Sequence, residues 1–235
     1  MNLAIMQPYF CPYIGYFQLL NAVDQFVIYD NIEYTKKGWI NRNRILANGK
    51  DEYITLPLKK DSDYLHIRDR YLAEDYSKKE KNKLLNKLTS SYKKAPEYNS
   101  VFPLIERIIN YSDSNLFNYI LHSLKVWMEY LNITTPIIKS SELDLDITLY
   151  KGEDKVLEIC KTLNTDNYTN AIGGKELYSK EQFAKQNIQL QYIKSSEVIY
   201  KQFNNDFIPW LSIIDVAMFN DNDFIKDILN KYTYE

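Results

Sequence analysis

Within fifteen residues, positions 30–44 gather Asp30, Tyr34, Lys36, Lys37, Trp39, Asn41, Arg42, Asn43 and Arg44. Lysines and arginines at this density are donors for phosphate or carboxylate, and an indole among them can stack on a base or a sugar. The pattern asks for an anionic ligand. Asp30 follows a short apolar run and is expected to meet that ligand as a catalytic carboxylate, with Arg42 and Arg44 neutralising charge that develops in the reaction. Tyr34, Lys36, Trp39, Asn41 and Asn43 are assigned to ligand binding.

Upstream, residues 7–17 read Gln-Pro-Tyr-Phe-Cys-Pro-Tyr-Ile-Gly-Tyr-Phe. Proline lacks the N–H that a central strand needs, so Pro8 turns the chain, and Pro12 opens an apolar periodic segment that suits a helix from near Tyr13. The helix N-terminus, with its free amides and dipole, would hold phosphate or carboxylate, with Gly15 allowing close approach. Gln7, Pro8, Tyr9, Tyr13, Gly15 and Tyr16 are therefore binding candidates. Cys11 lies between two aromatics and is not read as a nucleophile.

These residues need elements to hold them. Residues 3–6 and 26–29 read as short buried strands around that helix, which makes a βαβ unit with Gln7, Tyr13 and Asp30 at the carboxyl ends of its strands. Strands are further expected at 53–58, 136–138 and 188–193, with an extended piece at 64–68 containing His66. Helices are expected at 76–94, 101–109 and 117–131, the last capped by Asp113 or Ser114, and again at 151–163 and through Phe224, Ile225, Ile228 and Leu229 to the tail. Lys78, Lys79, Lys81, Lys83 and Lys87 form a solvated face. The fold class is α/β with a Rossmann-like, HUP-type, mostly parallel sheet. One domain spans 1–235, and 76–131 is a helical insertion or cover.

Residues 7–17, the stretch YDNIEYTKKGWINRNRI at 29–45, YTNAIGGKELY at 168–178 and LSIID at 211–215 together resemble the WbqC-like family of bacterial O-antigen and capsule gene clusters. The resemblance spans nearly the whole chain and implies surface-polysaccharide biosynthesis, with a transferase acting on an activated sugar. A second resemblance is to the HIGH-type nucleotidyltransferases and ligases. Tyr13-Ile14-Gly15-Tyr16 stands where those proteins place H-x-G-H, and two tyrosines cannot supply a cation at neutral pH.

The Gly173-Gly174 pair, after a strand ending near Thr169, is expected to turn at positive φ and offer amides to an anion, with Tyr178 closing the far side. Ser212 reads as a helix N-cap, and Asp215 reads equally as its capping partner and as a ligand contact. His122, beside an apolar stripe, is a packing residue or a general base; His66 has the same two readings. Cys160 sits among apolar neighbours and belongs to a core.

The near-neutral balance, 29 basic against 31 acidic residues, argues against a nucleic-acid partner. Two distant cysteines, no secretory segment and no apolar run of spanning length predict a cytoplasmic protein with free thiols and no membrane span. No metal-ligand spacing is present.

The expected function is a transferase, acyl or aminoacyl, including ATP-dependent amide formation, that modifies a nucleotide-linked sugar. The partners are then a sugar nucleotide and a small carboxylate or acyl donor, in a monomer or homo-oligomer. The cofactor is left open: ATP with Mg is compatible and acyl-CoA is less favoured. The alternatives are a sugar-nucleotide-binding subunit without catalysis, or an atypical glycosyltransferase, for which Asp61-Ser62-Asp63 and Asp144-Leu145-Asp146 have D-x-D spacing.

Overall fold

Leu3 and Ile5 face one apolar layer and Ala4 the other, so strand β1 (Asn2–Met6) is buried on both faces in mid-sheet. The computed structural model describes residues 1–235 except the side chain of Lys78, a member of the expected lysine face, which lies outside the described residues. Helix α1 (Ile14–Asn21) returns the chain to β2 (Gln25–Ile28), which pairs parallel to β1. Continuing along the sheet, β5 (Ile137–Lys139) joins β2, while β6 (Asn167–Ala171) and β7 (Gln189–Ser195) extend it on the other side of β1, all parallel. With β8 (Tyr232–Tyr234) at the far edge, the order is β5-β2-β1-β6-β7-β8, a Rossmann-like α/β sheet whose growth reverses direction between β1 and β6.

Helices cover both faces. On one side α5 (Gly152–Thr162) and α6 (Lys180–Lys185) bury Val156, Ile159, Cys160 and Phe183 against Leu3, Ile5 and Val27. The larger layer holds α1, α7 (Ile213–Phe219), α8 (Asn222–Leu229) and three helices that precede β5: α2 (Lys81–Tyr92), α3 (Tyr98–Ile109) and α4 (Leu116–Leu131). Among the described residues no helix is long and apolar enough to cross a membrane.

Several local expectations change. The lysine-rich segment begins as a π turn, Tyr76–Glu80, before α2. Asn115 caps α4, accepting from Asn118 N–H at 3.1 Å, while Asp113 is spent on Asn115 and Asn118. After α8 the tail leaves the helix as strand β8 (Tyr232–Tyr234), antiparallel to β7. Residues 42–55 form a separate hairpin, β3 (Arg42–Ala47) and β4 (Lys50–Thr55), turned by Asn48 and Gly49 with φ of 52° and 74°. Two consecutive positive φ values are what a type I′ hairpin demands.

Candidate functional site

At the carboxyl ends of β1, β6 and β7, where the strand order reverses, lies a cavity of about 450 Å³. Open α/β sheets bind ligands at this position. Three segments build its wall. The loop after β1 contributes Tyr9 and Tyr13, the hairpin and the turn leading into it contribute Trp39, Asn43 and Arg44, and the β7–α7 connection contributes Trp210. Ile193, Lys194 and Ser195 at the end of β7, with Ala171, Ile172 and Gly173 after β6, form the floor and far side.

The loop and hairpin are locked together by backbone carbonyls. Asn43 Nδ2 donates to the Phe10 and Cys11 carbonyls at 3.2 and 3.0 Å, and Phe10 N–H donates to the Ile40 carbonyl at 3.0 Å. Ser212 Oγ donates to the Cys11 carbonyl at 2.6 Å and accepts from Ile214 N–H, while Ser212 N–H reaches the Arg44 carbonyl at 2.8 Å. Cys11 itself sits at φ 42°, and burial pushes its thiol up to about 11, which keeps it protonated and inert. These pins fix the positions of Trp39 and Arg44.

Helix α1 starts at the cavity edge, with Tyr13 extended as its N-cap. The Tyr16 amide is taken by the Tyr13 carbonyl at 3.1 Å; the Ile14 and Gly15 amides before it have no acceptor within the helix. A Cβ on Gly15 would collide with the Tyr13 ring and lie 2.6 Å from Ser195 Oγ, so the glycine is required by the protein's own packing. Burial raises the phenol pKa of Tyr9 and Tyr13, so at neutral pH both are neutral hydrogen-bonding groups.

The polar equipment of the cavity is basic. Arg44 pairs with Asp51 at 2.9 Å through one terminal nitrogen, leaves a buried Nε without a partner, and lies 5.8 Å from the Trp39 ring. Lys194 pairs with Glu235 at 3.1 Å. The two indoles are partly open to solvent, Trp39 at 39% and Trp210 at 47% exposure. Trp210 holds φ at 60°, a conformation that bulky residues avoid, with its ring edge-on to Tyr13 at 6.0 Å. Among the described residues no carboxylate, histidine or cysteine lines the cavity.

Of the residues expected to act, Tyr9, Tyr13, Gly15, Trp39, Asn43, Arg44 and Gly173 meet here. The others are placed elsewhere, each for a physical reason. Asp30 is 2% exposed and accepts from Ser140 Oγ at 3.0 Å, Ser141 N–H at 2.9 Å and Ser141 Oγ, tying the end of β2 to the turn after β5. Arg42 stacks over Tyr53 at 4.6 Å and donates to the Gly38 and Lys37 carbonyls, closing its own loop. His122 stacks on Tyr111 at 4.0 Å on α4, and burial lowers its pKa. His66 lies 3.8 Å from Asp69, beside the bridge it makes with Glu33.

Tyr16 is buried and donates to the Gln7 carbonyl at 3.0 Å, which braces the loop; Gln7, Pro8 and Tyr16 stand outside the described lining. Tyr178 packs on Tyr168 and Phe183 in the opposite layer. Gly173 and Gly174 lie in a 3₁₀ turn, Ile172–Leu177, without positive φ, and Gly174 abuts Asn170. Ser212 is the N-cap of α7 as expected, but Asp215 does not return to that cap: it accepts from Tyr92 at 2.8 Å, Tyr200 at 2.7 Å and Gln202 at 2.7 Å. The D-x-D candidates are also engaged locally. Asp63 pairs with Lys36 at 2.7 Å, and Asp146 caps a 3₁₀ turn. Tyr34, Lys36 and Asn41 line a different cleft.

Trp210, Lys194 and Ser195 were not among the expected residues. A strand end with Lys-Ser and an isolated tryptophan before a helix cap were the available signals.

The fold and this cavity define a Rossmann-like α/β protein with one aromatic, basic crevice at the switch point of its sheet. The sequence comparison then places it: residues 7–227 match the model of the WbqC-like protein family, and the chain belongs to that family. It is 27% identical over 224 residues to a Mycobacterium tuberculosis protein described as "Uncharacterized protein Rv1507c", with 93% of each chain covered. No solved structure matches the chain.

Proposed function

We propose that the crevice binds a nucleotide-linked sugar and that the protein is a transferase that acylates or aminoacylates it for surface-polysaccharide biosynthesis in the cytoplasm. The observation that carries this reading is the combination in one cavity of two partly exposed indoles, an arginine with a free buried Nε, and the first turn of α1. Flat rings stack on a base or sugar face, and the cations and amides oppose a pyrophosphate.

ATP-dependent amide formation asks least of such a lining. The carboxylate of a small acid attacks the α-phosphate of ATP and pyrophosphate leaves; the amine of an amino sugar then attacks the acyl carbonyl and AMP leaves. Neither step needs a protein nucleophile. Arg44, Lys194 and the helix amides would oppose the charge on the transferring phosphate, and Tyr9 and Tyr13 would donate to oxygens. The likeness to HIGH-type nucleotidyltransferases supports this form, with Arg44 supplying the cation that Tyr13 and Tyr16 cannot.

A second reading, a sugar-nucleotide-binding subunit without catalysis, is favoured by the absence of carboxylate, histidine and cysteine from the lining among the described residues. A thermal-shift panel of ATP, CoA and UDP- or dTDP-linked amino sugars, followed by mass spectrometry after incubation with ATP, Mg and glycine, separates the two. Amide product with AMP release supports the ligase. Product from an acyl-CoA alone keeps the transferase and removes the ATP step. Tight sugar-nucleotide binding with no product from any donor favours the subunit.

A further inference from the structure

The loop that feeds the crevice also walls a second cleft of about 320 Å³, between Tyr34, Lys36 and Asn41 on one side and the chain that leaves β4 on the other. Its lining includes Arg70, 5% exposed. Among the described residues its guanidinium donates to the Ser62 carbonyl at 2.7 Å and lies over the Tyr34 ring at 4.4 Å, enters no ion pair, and leaves Nε without an acceptor. Arginine stays charged at any physiological pH, and a charge removed from water is costly unless an anion faces it.

The charges around the cleft are unequal in sign. Lys59 and Lys60 are exposed and, among the described residues, enter no ion pair. Lys36 is already engaged by Asp63, whose carboxyl it holds below its ordinary value; Arg70 adds a smaller pull through space. Asp61 is the other carboxylate of the lining, against four basic side chains in all. The cleft is left with two positive charges unanswered, and a neutral phenol and an amide beside them that hydrogen-bond to each other at 2.8 Å.

We propose that this cleft is a second ligand site, which takes a doubly charged phosphate group carried by a small molecule, clamped by Arg70 with Lys59 and Lys60 closing over it. Planar guanidinium donors match two phosphate oxygens at once, and the exposed lysines add charge without a fixed geometry. The site is separate from the switch-point crevice and stands whether or not that crevice holds a sugar nucleotide.

The test is calorimetric titration of the full chain with inorganic phosphate, run in an Arg44→Met background to weaken anion binding by the first crevice, with acetate as a parallel titrant. Adding Arg70→Met should weaken phosphate binding by about thirtyfold or more. The same variant should melt no lower than its parent without phosphate, because an unanswered buried charge has been removed. Lys59→Gln with Lys60→Gln changes only exposed side chains and should weaken binding several-fold; this pair carries the test if Arg70→Met does not fold. Phosphate affinity that is unchanged in the Arg70 variant, or in the lysine pair, overturns the site. Acetate binding as tight as phosphate overturns the assignment to a doubly charged group.

Discussion

Replacing Trp210 by asparagine removes the ring while keeping a residue that tolerates the left-handed backbone, so it tests the platform without rebuilding the loop. The indole is 47% exposed, so roughly half its side-chain surface, on the order of 110 Å², is already covered by the protein. At about 25 cal/mol per Å² that cover contributes at most ~3 kcal/mol, an upper bound because unfolded chains are partly compact. Asparagine keeps part of the contact and relieves about 1 kcal/mol of strain from a bulky residue at φ 60°. The net loss of stability should be about 1–2 kcal/mol, a fall in Tm of roughly 2–8 °C in a chain of this size. Ligand affinity should suffer more, because stacking on an aromatic ring is worth about 1–3 kcal/mol, or roughly five- to 150-fold in Kd. Calorimetry with whichever nucleotide-linked sugar raises the melting temperature measures this directly. Affinity within about twofold of wild type, with the fold intact, would refute the reasoning: the strained backbone at Trp210 would then serve the loop alone.

Arg44→Met should change stability by less than about 1 kcal/mol, since its bridge to Asp51 is partly solvated, yet weaken a phosphorylated ligand about thirtyfold or more; equal affinity by calorimetry removes the arginine from the site. Asp30→Asn should cost about 1–3 kcal/mol, because the new amide group opposes N–H and O–H donors, with ligand affinity unchanged; lost turnover at an unchanged Tm would instead make Asp30 catalytic. Burial raises the Asp215 carboxyl above its ordinary 3.8 despite three donors. Its contribution is therefore fully present below about pH 3.8 and is lost as pH rises through the elevated folded value. The stability of wild type relative to Asp215→Asn should fall as pH climbs above 4 in chemical denaturation, and parallel profiles for the two proteins would contradict this.

The βαβ core was legible because apolar runs, proline breaks and helical spacing are local signals. Residues 3–6, the helix after Pro12 and the strand before Asp30 all follow from them. The hairpin is announced by Asn48-Gly49, but a surface hairpin merely decorated with Lys36, Lys37, Arg42 and Arg44 is the weaker of the two readings that the segment's charges allow. Strand β8 was illegible: Tyr232, Thr233 and Tyr234 continue an amphipathic helix on the page, and only pairing with β7 across the sheet edge converts them. The caps show the same limit. Asp113, Ser114 and Asn115 are all competent, and the choice of Asn115 depends on its side-chain bond to the Arg68 carbonyl, a partner 47 residues away.

The site divides along a similar line, between polar residues that face a ligand and polar residues that face the protein's own carbonyls. Going into β3 the period of two separates them: Asn41, just before the strand, and Asn43 and Ile45 within it are buried, while Arg42 and Arg44 are half-buried on the other face. The asparagines are spent on pinning segments, Asn41 to the Leu56 carbonyl and Asn43 to Phe10 and Cys11, and that pinning lets Trp39 and Arg44 stand at the crevice while Tyr34 and Lys36 turn to the second cleft. A cluster that reads as one anion site in sequence therefore lines two cavities. The Trp210 wall has no local signature because it is held from behind. Asp215 on α7 draws in Tyr200 and Gln202, Gln202 accepts from Ile208 N–H at 2.8 Å and donates to its carbonyl at 3.1 Å, and two residues further on the Trp210 ring meets Tyr13. Asp215 thus acts on the crevice through the loop it anchors, without touching whatever the crevice binds.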